Sequence, residues 1–394
     1  MRVVYLIPGM SGAGGAERSL AAMVPFLAPA VDLHIVTWNG QDELRSDIEG
    51  AGATLTDLAV GGRPALFLEL RRVISRLKPD LIHTTLIDAD VVGRPVGLSN
   101  MVPVVSSLVN VNHGISVMRS GAGRWDKRLL AWSVDAATAR SVVRFHALTE
   151  HVASTMSRRL GVPRSRIEVI PRGRDPQVLG RRTPSRRRAA REALGVHDDR
   201  PLIVAAARHE HQKGLDVLLR AVPLIAHEYP DVRVLIGGRE GNASSELREL
   251  VAQLHLDGVV ALLGQRDDVA TLMSAADVWC VPSRWEGLGS ILVEAMCLEV
   301  PVVASAVPAI CEIAGDPAAF TLVQPDDPNA LARGVLDVLS NPAFAEQRST
   351  IAYGRFLSEF TADDIAQRMI GFYERSLASS RIANSRKGGR AFTG

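Results

Sequence analysis

Glu286 and Glu294 are separated by seven residues within ADVWCVPSRWEGLGSILVEAMCLEVPVVAS, and Gly287, Leu288 and Gly289 lie between them. Glycine lets backbone approach a ligand closely, and a helix opening just after Gly289 aims free N–H groups, beginning at Ser290, at whatever lies in front of it. That arrangement suits a phosphate. Glu294 falls over a turn inside the same helix, where a carboxylate can accept two hydrogen bonds from a vicinal diol such as a ribose. Bonds to a charged group contribute about 1.5–3 kcal/mol each, enough to fix orientation. Phosphate, ribose and a further polar group at one strand–loop–helix corner describe a nucleotide-sugar site. Taken singly, Glu286 reads as a solvated helix-start residue favoured by the macrodipole; the pair with both glycines between two apolar strands reads as a site.

Apolar strands must position these residues. Val278–Val281 and Val302–Ala304 flank the pair, and Leu202–Ala206, Val232–Ile236 and Val259–Leu263 precede it. The first half shows the same rhythm, with strands expected at Val3–Ile7, Asp32–Val36, Thr54–Leu58, Leu81–His83, Val102–Ser106, Arg144–Leu148 and Ile167–Ile170. Helical patterns such as Ala16–Phe26 and Ala65–Leu77 lie between them. Strands alternating with helices predict an α/β fold of two Rossmann-like, doubly wound parallel sheets, joined by an Arg- and Pro-bearing hinge over Asp175–Arg187. Ligands of such sheets bind beyond the carboxyl ends of strands. Arg208 and Lys213 follow directly on Leu202–Ala206, where two cations can neutralise a diphosphate both in the ground state and as a leaving group.

At this point the chain resembles the retaining glycosyltransferases of the GT-B fold, family 4, which carry an E-x7-E signature. It stands here as Glu286-Gly287-Leu288-Gly289 through Glu294-Ala295-Met296, then Glu299-Val300-Pro301-Val302. Ala207-Arg208 with Lys213-Gly214-Leu215-Asp216 resembles the family's G-R-x4-K-G-x-D segment. Gly237-Gly238, Leu263-Gly264, and Ile170-Pro171 with Gly173 and Asp175 match further landmarks, and Gly14-Gly15-Ala16-Glu17-Arg18 resembles its first glycine-rich loop. The departures are Glu299 for the usual Gly, Arg172 for the usual Asn, and Val109 where many relatives carry a His. His113, four residues on, fills that role from a longer loop or belongs to the loop structure alone.

The resemblance implies an N-terminal acceptor-binding domain over 1–175, a C-terminal nucleotide-sugar domain over 176–359 and a helix over 360–378 returning to the first domain; the polar, basic, glycine-containing segment 379–394 reads as a disordered tail. The resemblance also implies transfer of a sugar with retention from a UDP- or GDP-linked donor, with no cofactor and no metal, to a glycan or lipid-linked acceptor. Arg208, Lys213, Glu286 and His113 would be catalytic. Gly15, Gln265, Arg266, Gly287, Leu288, Gly289, Ser290 and Glu294 would bind donor. For Gly14 and Gly15 a mere tight turn is nearly as good a reading. A sugar-nucleotide epimerase on the same fold, or a non-catalytic nucleotide-sugar-binding subunit, stays open beside the transferase.

Other groups carry less. His209-Glu210-His211 lacks a third metal ligand at sensible spacing. Asp88-Ala89-Asp90 looks like a metal-binding D-x-D but reads as a helix start, and His83 reads as cleft-facing or as a core group. Composition is that of a globular protein, with 47% hydrophobic and 22% charged residues, so a sizeable core is expected. Cys280, Cys297 and Cys311 lack metal-type spacing and are expected to be buried reduced thiols of a cytoplasmic protein. Arg2 and the short apolar run after it read as a first strand rather than a signal peptide, and no run is long enough to span a membrane. Net charge is only +2 but the N-terminal half is the basic one, which suggests an anionic partner. Nothing resembles a nucleic-acid module. The stretch Arg119, Arg124, Trp125, Lys127, Arg128, Leu129, Leu130 and Trp132 reads as an ordinary half-packed helix, or as a face for an anionic membrane that would place the protein at the inner membrane surface.

Overall fold

The computed structural model describes residues 1–12, 14–111, 125–196 and 200–389. The chain divides into two compact units, one of Met1–Gly173 with Ala362–Gly394 and one of Arg174–Thr361.

The first unit is built on seven parallel strands: β1 (Arg2–Leu6), β2 (Asp32–Thr37), β3 (Thr54–Asp57), β4 (Leu81–Thr85), β5 (Val104–Leu108), β6 (Arg144–Ala147) and β7 (Ile167–Val169), in the order β3-β2-β1-β4-β5-β6-β7. β4 and β5 are buried along their whole length, as strands covered on both faces must be. Helix Gly15–Leu27 and the returning helix Ala362–Gly389 cover one face, where Leu20 and Met23 join a core with Ile365, Met369, Phe372 and Tyr373. Arg63–Leu77 and Ile87–Asn100 cover the other through Leu70, Val73, Val92 and Val96.

The second unit holds six parallel strands: β8 (Leu202–Ala206), β9 (Arg233–Gly237), β10 (Val260–Gly264), β11 (Val278–Val281), β12 (Val302–Ser305) and β13 (Thr321–Val323), in the order β10-β9-β8-β11-β12-β13. Helices Leu215–Glu228 and Pro328–Ser340 share its core through Leu218, Val222, Leu331 and Val335. β8 and β11 are neighbours although two strands and three α-helices separate them in sequence. The strand order reverses between them, which opens a crevice beyond Ala206 and Val281.

Each strand expected from the sequence forms, with ends moved by no more than two residues. β13 was not expected, because three residues carry too little alternation to read. The returning helix continues through residues 379–389, assigned from sequence to a disordered tail. A helix already nucleated by packed turns propagates into polar sequence at little cost. Cys280 and Cys297 are buried, and burial pushes the Cys280 thiol up to about 12. Cys311 is exposed, contrary to expectation, because its short helix turns Ala309, Ile310 and Ile313 inward instead.

Candidate functional site

After β8 the chain makes one turn over His211–Lys213 and enters helix Leu215–Glu228 through Gly214. Gly214 is left-handed, with φ 61°, and a Cβ there would overlap the carbonyl oxygen of Pro282. Only glycine lets this turn lie against the loop after β11. The close approach brings the ammonium of Lys213 to 2.6 Å from Oε1 of Glu286, which also accepts from the Ser283 hydroxyl at 2.8 Å. Further bonds stitch the two loops together. Gln212 Nε2 donates to the Trp285 carbonyl, the Arg284 N–H donates to the Gln212 carbonyl, and the Arg284 guanidinium forks onto Asp216 at 2.8 and 2.7 Å. Burial alone would raise the Asp216 carboxyl, but the Arg284 fork prevails and holds it below the usual carboxylate range.

Glu286 is only 6% exposed. Three residues on, Gly289 turns left-handed (φ 76°) and starts helix Ser290–Cys297, leaving the first N–H groups of that helix at the crevice. Leu288 is buried, so that residue offers its backbone alone. Glu294 lies one turn into the helix, and its Oε1 accepts from both Nε and Nη2 of Arg174 at 2.8 Å. Arg208 stands after β8 with its side chain 46% exposed, 3.9 Å from Glu210. Lys213 and Glu286 compensate one another, so Arg208 is the cation most available to an arriving anion. The structure thus gathers Lys213, Glu286, Gly287, Gly289, Ser290 and Glu294 around one strand–loop–helix corner. Gln265 and Arg266 follow β10, two strands away from β8, where Gln265 is exposed and Arg266 is forked onto Asp268 at 2.7 and 2.6 Å. Sequence reasoning missed Arg174, Ser283 and the Arg284–Asp216 fork. Arg174 stood between Gly173 and Asp175, both of which the resemblance had singled out.

Residues 13–178 match the model of Glycosyltransferase Family 4, and residues 186–355 match that of Glycosyl transferases group 1. The chain has the two parallel-sheet domains of the GT-B fold, and each half matches a glycosyltransferase family model. The uncharacterized glycosyltransferase MJ1607 of Methanocaldococcus jannaschii is 32% identical over 186 residues, 47% of each chain. A D-inositol 3-phosphate glycosyltransferase of Mycolicibacterium vanbaalenii is 31% identical over 264 residues, which are 62% of this chain and 56% of that one. The matched stretches span about half the length of these relatives. Among solved structures, HepE of Anabaena in complex with UDP-glucose shares the fold with a TM-score of 0.82 at 20% identity, over 95% of this chain and all of that one.

In the N-terminal unit of this GT-B chain, Gly15 opens helix Gly15–Leu27, and Arg172 Nη1 donates to the Gly15 carbonyl at 2.6 Å and to Ser19 Oγ at 3.3 Å. The arginine that replaces the family's asparagine therefore pins the glycine loop. His113 lies outside the described residues, as do Arg119 and Arg124. Val109 lines a cavity of about 50 Å³ together with His83, Ser107, His146, Arg172 and Tyr373.

His83 is a core group, not a cleft-facing one. With both imidazoles neutral, the chain of hydrogen bonds around it runs in one direction. The Ile170 carbonyl can only accept, so His146 donates from Nε2 at 2.7 Å and accepts at Nδ1 from Ser107 at 2.9 Å. Ser107 Oγ then accepts from His83 Nε2 at 2.7 Å, and His83 Nδ1 accepts from the Tyr373 hydroxyl at 2.8 Å. Burial favours the neutral imidazoles, lowering His83 well below its ordinary value and His146 to about 4.

Asp88 and Asp90 lie in the first turn of helix Ile87–Asn100. Asp90 is buried beside Arg94, which also binds Asp135 at 2.7 Å, and burial raises its carboxyl to about 6. Among the described residues no group of three or more His, Cys, Asp or Glu side chains is disposed to hold a metal, and no helix is long and apolar enough to cross a membrane. Trp132, at the described end of the basic–aromatic stretch, is partly exposed, and its indole N–H donates to the Arg159 carbonyl at 3.0 Å.

Proposed function

We propose that this chain transfers a glycosyl group from a nucleoside-diphosphate sugar to an acceptor hydroxyl, with retention and without a metal ion. The observation that carries this reading is the corner at the β8–β11 switch point, where Lys213 and Glu286 meet beside a helix N-terminus and Glu294 lies one turn inside. Cations and free N–H groups placed there would stabilise the charge that builds on a departing diphosphate. Arg208 and Lys213 take the diphosphate, Gly287, Gly289 and Ser290 offer backbone N–H groups, and Glu294 takes the ribose. Backbone near Gln265 and Arg266 takes the base, and Glu286 holds sugar hydroxyls.

In the reaction the bond from the anomeric carbon to the β-phosphate oxygen breaks. The acceptor oxygen bonds the same carbon on the same face, and the acceptor proton leaves with the nucleotide. His113 orients sugar or acceptor. The UDP-glucose complex of HepE supports a UDP-linked donor, with GDP the alternative base. The acceptor is a glycan or lipid-linked glycoconjugate, met in the cytoplasm or at the inner membrane face through the basic–aromatic stretch. Sedimentation with anionic liposomes tests that placement: binding that is absent, or indifferent to salt, refutes it.

The donor site is tested by thermal shift with UDP-, GDP- and ADP-sugars on wild type and Glu294→Gln; the glutamine keeps Arg174 accompanied. A ligand at a hundredfold excess over its Kd stabilises the native state by about 2.7 kcal/mol. One nucleotide class should raise Tm in the wild type and lose its effect in the variant. Silence from every nucleotide sugar at saturation refutes the donor site. With an active donor and acceptor pair, the anomeric configuration of the product by NMR decides retention.

A further inference from the structure

We propose that Arg174 is a positioning residue that fixes the Glu294 carboxylate in the orientation that receives the donor ribose, an inference that rests on the nucleotide reading of this site. Arg174 is 7% exposed, and two of its nitrogens, Nε and Nη2, reach the same oxygen of Glu294 at 2.8 Å. Two donors of one planar guanidinium converging on Oε1 fix the position of that oxygen and leave Oε2 for a ligand hydroxyl; a lysine could make only a point contact.

Arg174 is itself held by backbone. Its N–H donates to the Phe360 carbonyl at 2.9 Å, and it pairs in parallel with Thr361. These are the residues at which the chain enters and leaves the second unit. The fork therefore springs from a fixed root. Glu294 has three rotatable bonds and sits in a helix of eight residues. Unheld, its carboxylate would have to be ordered by the ligand, and that ordering weakens binding; held by Arg174, it is ordered beforehand.

The test uses UDP, GDP and ADP as calorimetric probes on the full chain, as wild type, Arg174→Met, Arg174→Lys, Glu294→Gln and the Arg174→Met/Glu294→Gln pair, with melting curves to show that each is folded. Arg174→Met should weaken the nucleotide that binds by about tenfold, and Arg174→Lys should recover part of that loss. Because Arg174 acts through Glu294, the double variant should bind no more weakly than Glu294→Gln alone. Should Arg174→Met not fold, Arg174→Lys carries the comparison. Binding that is lost in Glu294→Gln yet intact in both arginine variants overturns the positioning role and leaves the site reading standing. Losses that simply multiply in the double variant do the same. Binding that survives Glu294→Gln, or none in the wild type, overturns the site reading and this inference together.

Discussion

Lys213 and Glu286 are 73 residues apart in sequence and 2.6 Å apart in space, so the cation proposed for the diphosphate is already partnered by the carboxylate proposed for the sugar. An arriving donor must share Lys213. The two halves of the pair should therefore respond with opposite signs. Lys213→Met leaves a nearly buried carboxylate with Ser283 alone; it should lower stability by about 2 kcal/mol, a partly exposed pair losing less than a fully buried one, and weaken nucleoside-diphosphate binding more than tenfold. Glu286→Gln keeps the Ser283 bond and releases Lys213, so it should bind nucleoside diphosphate as well as wild type or better while turnover falls at least a hundredfold. Calorimetry against UDP, GDP and ADP with a product assay checks both. Weaker nucleotide binding by Glu286→Gln would show that the pair is not shared in this way.

Glu299 departs from the family's glycine and sits at φ 52°, in the left-handed region just past helix Ser290–Cys297. A Cβ there costs about 1–2 kcal/mol, partly offset by the ion pair with Arg181, which is exposed on the arginine side and so weakened by solvent. Glu299→Ala keeps the strain and loses the pair, whereas Glu299→Gly loses both. The glycine variant should melt higher than the alanine variant by the equivalent of about 1 kcal/mol. Equal melting temperatures would mean that the backbone relaxes around Cβ at no cost.

The parallel sheets were legible because buried strands write themselves as apolar runs between helical periods; LIVAA and VWCV can hardly be anything else. The corner was legible because glycines and glutamates at fixed spacing have few other uses. The pairings were not. That Lys213 would meet Glu286, or that Arg284 would fork onto Asp216, depends on Gly214 passing under Pro282, a contact between residues far apart in sequence. Arg174 is not legible in sequence, because an arginine in a loop looks like any solvated cation until its burial is known. The same holds for His83, whose hydrogen-bond partners Ser107 and Tyr373 come from another strand and the last helix.

Gly214 should tolerate no side chain. Gly214→Ala adds a left-handed alanine and forces its Cβ onto the Pro282 carbonyl, so the turn must move away from the loop after β11. A loss of about 2–3 kcal/mol is expected, the conformational cost plus the steric one, and nucleotide binding should weaken with it because Lys213 moves too. The internal control is Gly258→Ala, where a Cβ meets nothing within 4 Å and φ is not positive; that variant should match wild type in both melting and binding. A Gly214→Ala protein that melts and binds like wild type would show that the two loops are not set by this contact.

The buried histidines make the N-terminal unit acid-labile in a defined window. His146 is held neutral to about 4 in the folded chain, against an ordinary value near 6.5. Between those values the unfolded chain takes up a proton that the folded chain refuses, so stability present above pH 6.5 is lost as pH falls toward 4, by about 3 kcal/mol if the shift is fully expressed. His83 acts in the same direction. Asp90 opposes them, because its carboxyl is raised to about 6 and the folded chain gains protons first as pH drops through that value. Melting temperature followed from pH 7.5 to 4.5 separates these contributions. His146→Gln can donate to the Ile170 carbonyl and accept from Ser107 without titrating, so its curve should fall less steeply than that of wild type. Asp90→Asn removes the opposing uptake, and its curve should fall more steeply. Parallel curves for all three proteins would place the acid sensitivity elsewhere in the chain.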